Sequence, residues 1–288
     1  KAGKALAIAA WSSFAGGTLA SIYLLFLAPS LSKVSLSFRS PDYFALMILG
    51  LTAIAAFSSK GQFLKAMMMV VLGLMLASVG QDSLSDISRF TFNNMNLSDG
   101  ISFVLVVMAT FAMSEALTII LKRNDPSAVA KQVSLTELGS IKINKEERTK
   151  MLKAIPRNSV IGFLIGVLPG AGATIASFLA YGMERNFVSD EEKEKFGKGS
   201  VHGLTAPETA NNAACSGAFV PLLTLGIPGS GTTAVMLGAL LGFGIQPGPR
   251  LYITNPEIFW SVIMSMYIGM VVLLILNLPL IPYIARIL

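Results

Sequence analysis

The sequence has little charge, one cysteine and one histidine, and each shortage excludes a class of protein or site. Only 13% of its 288 residues are charged, whereas a soluble domain carries about 25%. The single cysteine, Cys215, cannot form an internal disulfide and leaves no cysteine metal cluster. The single histidine, His202, does not suffice for a histidine-rich metal site, and we expect it to be solvated because it follows a charged stretch.

Apolar residues make up most of the rest. They account for 53% of the chain, and the mean hydropathy is +0.66. Several apolar windows approach or exceed the ~20 residues that a helix needs to cross a bilayer. The composition therefore predicts an all-α membrane protein with several spans. The net charge of +6 then marks cytoplasmic loops, and we expect lipid rather than nucleic acid as the partner of this surface.

Residues 1–121 contain four predicted spans that would act as a scaffold. They cover about residues 5–28, 42–58, 62–80 and 101–121, with a polar loop at 81–100. Residues 122–157 form a charged connector with nine basic and four acidic residues, which places it in the cytoplasm by the positive-inside rule. A last span is predicted at 256–288. Because the chain starts without methionine, we expect it to be part of a longer polypeptide.

Two similar Pro-Gly breaks interrupt the apolar region 158–255. They read "LPGAGATIAS" at 168–177 and "IPGSGTTAVM" at 227–236. The rings of Pro169 and Pro228 oppose a continuing helix, and the glycines permit left-handed turns. A helix that restarts after such a break presents free N–H groups and a positive dipole end. Each break is thus a potential anion-binding site.

The first break predicts either a re-entrant hairpin or a kinked helix. Residues 158–168 would rise about 16 Å, roughly half of a 30 Å hydrocarbon core. The charged stretch after the second half-helix, residues 184–200, carries four basic and five acidic residues. Comparison with the basic connector favours a hairpin that returns to the cytoplasmic side, over one crossing helix of about 26 residues.

Paired breaks of this kind point to the substrate site of a secondary transporter, although two ordinary kinked helices are the simpler alternative. Asn211 and Asn212 add polar groups to a small-residue helix, as substrate contacts or as interhelical hydrogen bonds. The candidate substrate-binding residues are Pro169, Gly170, Ala171, Gly172, Thr174, Asn211, Asn212, Pro228, Gly229, Ser230, Gly231, Thr232 and Thr233.

Glu208 has two interpretations. With Thr205 and Pro207 it matches a capping box at a helix start, and as an intramembrane carboxylate it is a candidate for a coupling ion, Na⁺ or H⁺. We expect no other cofactor and no enzymatic activity. An ATP-driven pump would need a lysine after "GSG", and a serine hydrolase built on Ser216 or Ser230 would need an adjacent base. A passive channel remains the alternative to a transporter.

Three segments resemble the large permease subunit of the bacterial tripartite tricarboxylate transporters, the TctA family. They read "GVLPGAGATIASFLAYGMER", "GLTAPETANNAACSGAFVPLLTLGIPGSGTTA" and "RFTFNNMNLSDGI". The resemblance implies a multi-pass inner-membrane symporter for di- or tricarboxylates with an inverted-repeat, elevator-like architecture. It also implies two partners, a small TctB-like membrane subunit and a periplasmic TctC-like solute-binding protein. The polar loop departs from the family pattern "GxDPxxGxxRFTFG", which leaves its local turn open.

Overall fold

The computed structural model describes residues 2–37, 39–42, 63–81, 87–102, 109–122, 141–169 and 172–287, with a few further positions between 44 and 52 and at 105–106. Nearly all regular structure in these ranges is helical, which confirms the predicted all-α class. Most of the predicted span 42–58 and most of the connector, residues 123–140, lie outside the described residues.

The first part of the chain contains one long helix and several short elements. The long helix, α1, is apolar and rich in small residues, with twice as many Ala, Gly, Ser and Thr residues as Leu, Ile and Val residues. The elements in chain order are α1 Ala2–Ser35, α2 Phe63–Ala77, β1 Gly80–Gln81, β2 Ser88–Arg89, a 3₁₀ turn Met95–Leu97, a π-helical turn Ala109–Met113 and α3 Ser114–Lys122. The antiparallel β1–β2 pair closes the polar loop.

The second part of the chain is a compact set of helices around the two breaks. Its elements are α4 Lys145–Val167, α5 Gly172–Phe187, α6 Asp190–Lys193, α7 Val201–Gly217, α8 Phe219–Leu225, α9 Gly231–Gly242, α10 Leu251–Thr254 and α11 Pro256–Ile287. Both predicted breaks fall between helices, the first between α4 and α5 and the second between α8 and α9.

Helix α4 begins within the segment 122–157 that was predicted as the connector. It starts at Lys145 and has 23 residues, about 34 Å. Asn144 starts the helix: its side chain accepts the Glu147 N–H at 2.8 Å, and the Glu147 carboxylate accepts the Asn144 N–H at 2.8 Å. This capping box begins the helix in a charged stretch, where apolar length gives no signal of a helix start.

Helix α7 is the centre of the bundle and packs against α1, α4 and α5. Its contacts are close because the facing residues are small. A Cβ on Gly162 or Gly166 of α4 would collide with the backbone of Ala210 or Ala214, and one on Gly16 would collide with Thr209. Such close approach of helix backbones is the packing mode that small residues permit within membranes.

Larger apolar side chains fill one end of the bundle and cover its outside. Leu24, Leu223, Phe259 and Ile263 are buried together with Phe163. Two helical segments, Gly3–Val34 and Pro256–Leu280, are long and apolar enough to cross a membrane, and α2 and α9 are apolar but shorter. Their outward side chains are exposed, which suits contact with lipid. The predicted larger number of spans is therefore supported only in part.

The polar loop contains an unusual turn in "RFTFNN". Phe90, Phe92 and Asn93 have positive φ values of 53°, 50° and 58°, a region that side-chain-bearing residues rarely adopt. Asn93 stands where the family pattern has glycine, and asparagine is among the residues that tolerate this conformation best. Asn93 therefore adopts the left-handed conformation of this turn in place of the glycine in the family pattern.

Candidate functional site

The first break reverses the chain. Helix α4 ends at Val167, Leu168 is extended, and Pro169 lies half-buried in the turn. Helix α5 starts at Gly172, whose φ of +67° lies in the left-handed region that glycine adopts most readily. No neighbouring atom lies within 4 Å of a Cβ built on Gly172, so this tip is open. Gly170 and Ala171 lie outside the described residues.

Helices α4 and α5 form an antiparallel hairpin, which a single kinked helix would not allow. Asn158 of α4 donates to the Glu184 carboxylate of α5 at 2.7 Å. Arg157 Nη2 lies 2.6 Å from both Glu184 carboxylate oxygens, and Arg157 Nε lies 3.0 Å from Oε2. The two ends of the predicted hairpin, at 158 and 184, are therefore in direct contact.

The second break is shaped by its own caps. Helix α8 ends at Gly226 in a left-handed C-cap with φ +73°. Ser230 then caps α9: its Oγ accepts the Thr233 N–H at 3.3 Å, and Thr233 Oγ1 accepts the Ser230 N–H at 2.9 Å. This leaves the N–H groups of Gly231 and Thr232 as helix-terminal donors outside the box. Ser230 and buried Thr233 thus have a local role, and their contact with substrate stays a prediction.

Both breaks lie at the same end of α7. The last turns of α4 pass the C-terminal part of α7, where a Cβ on Gly166 would meet Ala214. A Cβ on Gly229, in the second break, would lie 3.3 Å from Ala218, directly after α7. Two positively polarised helix starts are thereby gathered at one end of the central helix.

The remaining candidate residues do not form a single cluster. Asn211 donates to Ser177 Oγ of α5 at 3.2 Å, which is an interhelical hydrogen bond, while Asn212 donates to the Glu208 carbonyl at 3.2 Å on the side of α7 that faces α1. The hydroxyl-bearing side chains of Thr174 and Thr232 are exposed near the two breaks. The two asparagines therefore serve different surfaces of α7.

The capping interpretation of Glu208 is wrong. Helix α7 starts at Val201, and Ser200 is its N-cap, accepting the Gly203 N–H at 3.0 Å. Thr205 is fully buried inside the helix, one turn after its start. The Glu208 side chain instead accepts a hydrogen bond from Ser13 of α1 at 3.0 Å, so it faces a neighbouring helix.

A buried charge cluster at the other end of α7 was missed from the sequence. Glu184 is fully buried between Arg157, Asn158 and His202, whose Nδ1 lies 2.8 Å from Glu184 Oε1. The expectation that His202 is solvated is wrong, because it lies in the first turn of α7 and is 7% exposed. The N-cap Ser200 one residue before Val201 was the available signal that His202 is helical.

Charged residues mark the end of the bundle opposite the breaks. Lys4 of α1 pairs with Glu147 at 3.0 Å, and Lys150 of α4 pairs with Glu192 of α6 at 3.0 Å. Hydrogen bonds to Glu192 and Glu191 raise the pKa of Lys195 to about 12. These ion pairs are partly exposed and make this the charged end of the bundle.

Comparison with known sequences identifies the family of this chain. The sequence profile of the tripartite tricarboxylate transporter TctA family matches residues 1–288. The chain belongs to the TctA family. It is 41% identical over 281 residues to an Agrobacterium vitis protein described as an uncharacterized 52.8 kDa protein in the TAR-I ttuC' 3' region, covering 98% of this chain and 54% of that protein.

A second relative has the same source. An uncharacterized protein in the TAR-II ttuC' 3' region of Agrobacterium vitis is 48% identical over 120 residues, which cover 42% of this chain and 49% of that protein. The chain spans about half the length of these curated relatives. No solved structure matches significantly. The resemblance seen in the motifs is confirmed, and the family is one of transporters.

Proposed function

We propose that this chain forms the substrate-binding half of a secondary transporter that carries a di- or tricarboxylate across the bacterial inner membrane. The observation that carries the proposal is that both Pro-Gly breaks lie at one end of α7. Their helix starts, at Gly172 and Gly231, offer backbone N–H donors and positive dipole ends to an anion. The carboxylate would lie between them, with Thr174 and Thr232 supplying hydroxyls.

The depth of the first break fits this role. If Arg157 and Glu184 lie at the cytoplasmic boundary of the hydrocarbon, the roughly ten residues from Arg157 to Val167 carry the break about 15 Å inward. That is close to the midplane of a 30 Å core, where transporter sites built from broken helices lie. The hairpin would then be re-entrant, and the earlier turns of α4 would stand in the cytoplasm.

The family supplies the wider setting of the proposal. A tripartite system implies a TctB-like small membrane subunit and a TctC-like periplasmic binding protein that delivers the carboxylate, with Na⁺ or H⁺ as the coupling ion. The two-break geometry supports the substrate class but does not select one carboxylate, because helix starts and hydroxyls suit any of them.

A passive carboxylate channel is the competing function, and vesicle uptake separates the two. Membrane vesicles with the full-length protein and both partners are given labelled citrate with an inward Na⁺ gradient, an inward H⁺ gradient, or neither. We expect internal citrate to exceed external citrate under one of the two gradients and to fall to equilibrium when an ionophore collapses it. Citrate that only equilibrates under every condition would establish a channel.

Binding at the breaks is tested separately. Gly172→Val places a side chain at an open, left-handed tip, and we expect it to abolish uptake. Gly182→Val lies in the same helix, where a Cβ also meets no atom within 4 Å, and we expect uptake to persist. Normal uptake by a well-expressed Gly172→Val protein would show that the break is only a kink.

A further inference from the structure

A cavity of ≈ 320 Å³ lies between α1, α7 and α11. Most of its wall is aliphatic, but four polar side chains from the three helices line it: Ser13, Glu208, Asn212 and Asn277. Ser13 Oγ donates to Glu208 Oε2 at 3.0 Å. The cavity is separate from the outward-facing threonines at the two breaks.

Both asparagine side chains donate a hydrogen bond from their amide nitrogen to a backbone carbonyl of their own helix. Asn212 Nδ2 donates to the Glu208 carbonyl at 3.2 Å, and Asn277 Nδ2 donates to the Leu273 carbonyl at 2.8 Å. Each bond assigns the amide nitrogen to the preceding turn and leaves the oxygen for another partner. Within the part of the chain that the structure describes, no donor reaches either amide oxygen.

The polar wall is therefore rich in acceptors and poor in donors. Glu208 contributes a carboxylate, and Asn212 and Asn277 contribute amide oxygens. Ser13, the one hydroxyl among the lining residues that the structure describes, already donates to Glu208. Among the described lining residues, none is a lysine or arginine that could neutralise the carboxylate. A carboxylate inside a membrane bundle is costly without a counter-charge. A cation bound in the cavity would supply that charge to Glu208.

We propose that this cavity binds the coupling cation as a sodium site, with Glu208, Asn212, Asn277 and Ser13 as its oxygen ligands. Carboxylate, amide and hydroxyl oxygens are the ligands that hard cations prefer. The coupling role of this cation rests on the proposed function, but cation binding at this site does not. It assigns Asn212 to the ion and adds Ser13 and Asn277, which the sequence analysis did not single out.

The position of the site suits communication with the substrate. Asn212 lies five residues before Gly217, about 8 Å along α7, and the end of α7 is where both breaks gather. A cation that draws α1, α7 and α11 together would change the packing of the same helix that supports the two breaks. Occupancy of one site thereby biases the other, which is what coupling requires.

Ion binding is measured first without any carboxylate. The purified full-length protein is heated in detergent in NaCl, KCl or choline chloride at equal ionic strength. We expect Na⁺ alone to raise the unfolding temperature, since a ligand that binds only the folded state stabilises it. The shift should disappear in Glu208→Gln and shrink strongly in Asn277→Ala. The matched controls Glu191→Gln and Asn186→Ala, which change exposed residues at the charged end of the bundle, should keep the full shift.

The second measurement is the Na⁺ dependence of carboxylate uptake in proteoliposomes. For Asn277→Ala we expect about tenfold more Na⁺ for half-maximal uptake, the change that ~1.4 kcal/mol produces, with nearly normal uptake at saturating Na⁺. A Na⁺ shift in the melting assay without any carboxylate uptake would retain the cation site and reject the proposed function. Uptake driven by protons, with no Na⁺ effect in either assay, would reject the sodium site and retain the transporter.

Discussion

At the scale of single residues, Glu184 shows how one side chain ties three helices together. It lies on α5, accepts hydrogen bonds from Arg157 and Asn158 of α4, and is hydrogen-bonded to His202 at the start of α7. A buried carboxylate is stable only when its hydrogen-bonding capacity is filled and its charge is paired. The arrangement therefore fixes the open ends of the α4–α5 hairpin against the central helix, while the break at the other end stays free to meet a ligand.

Loss of the Glu184 charge should destabilise the bundle. In Glu184→Gln, Arg157 keeps its charge but loses its partner, and breaking a buried ion pair in this way costs on the order of 3 kcal/mol. We expect a lower unfolding temperature in detergent and less monodisperse protein after heating. Glu191→Gln is the control, because Glu191 is exposed and its pair with Lys195 contributes at most about 1 kcal/mol. Equal stability of the two variants would contradict this assignment.

The conformation of Gly172 leads to a second prediction at this scale. Alanine at φ +67° is strained by about 1–2 kcal/mol, although space around it is open. Gly182→Ala, in the middle of the same helix, should instead stabilise by about 0.5–1 kcal/mol. Thermal unfolding of the two variants should therefore shift in opposite directions. Shifts of the same sign would mean that the helix does not start in a left-handed conformation.

At the scale of elements, the breaks were predictable and the helix boundaries were not. The Pro-Gly pairs predicted both interruptions because proline and glycine act locally. The start of α4 at Lys145 was missed because a capping box can begin a helix in a charged stretch. The burial of His202 was missed because its carboxylate partner lies 18 positions earlier in the chain, a contact that local patterns do not encode. The sequence shows that α4 and α7 contain small residues, but it does not show which of these residues face one another.

Close packing of α4 on α7 predicts a steric effect. A Cβ on Gly162 would fall on the backbone of Ala210, so the two helices would have to separate. Overpacking of this kind costs typically about 1–3 kcal/mol. We expect Gly162→Ala to lower the unfolding temperature, in contrast to Gly182→Ala, which adds the same methyl group on an open face of α5. A neutral Gly162→Ala would show that the backbones of α4 and α7 are not in direct contact at this position.

The re-entrant course of the hairpin is tested by cysteine labelling. Asn158 is a poor labelling position because it is buried against Glu184, so Lys153 and Asn186, both exposed, are used in a Cys215→Ser background. A membrane-impermeant maleimide should label both cysteines in inside-out vesicles and neither in intact spheroplasts. A cysteine at Leu168, near the tip, should react slowly from either side. Labelling of Lys153→Cys and Asn186→Cys from opposite sides would require a crossing segment.

At the scale of the whole molecule, the bundle has a charged end and a break end, and its helices run between them in both directions. Helices α1, α4 and α7 start at the charged end, while α5 returns to it. Asn277 of α11 shares a cavity with Ser13 of α1, and Phe259 packs with Leu24, so α11 runs antiparallel to α1. The composition predicted a membrane protein, but only the contacts define which ends share a side.

The charged end leads to one prediction for the topology of the full-length protein. The charged end contains the basic residues of α4 together with Lys4 and Lys195, and such residues accumulate on the cytoplasmic side. A green fluorescent protein inserted after Ile141 should fluoresce, and alkaline phosphatase inserted there should stay inactive. Helix α1 leaves this end and has an apolar stretch, Gly3–Val34, long enough to cross, so phosphatase inserted after Ser37 should be active. Phosphatase activity after Ile141 with none after Ser37 would mean that the orientation in the membrane is inverted. The charged ends of the α4–α5 hairpin would then lie on the periplasmic side, and the breaks would open toward the cytoplasm.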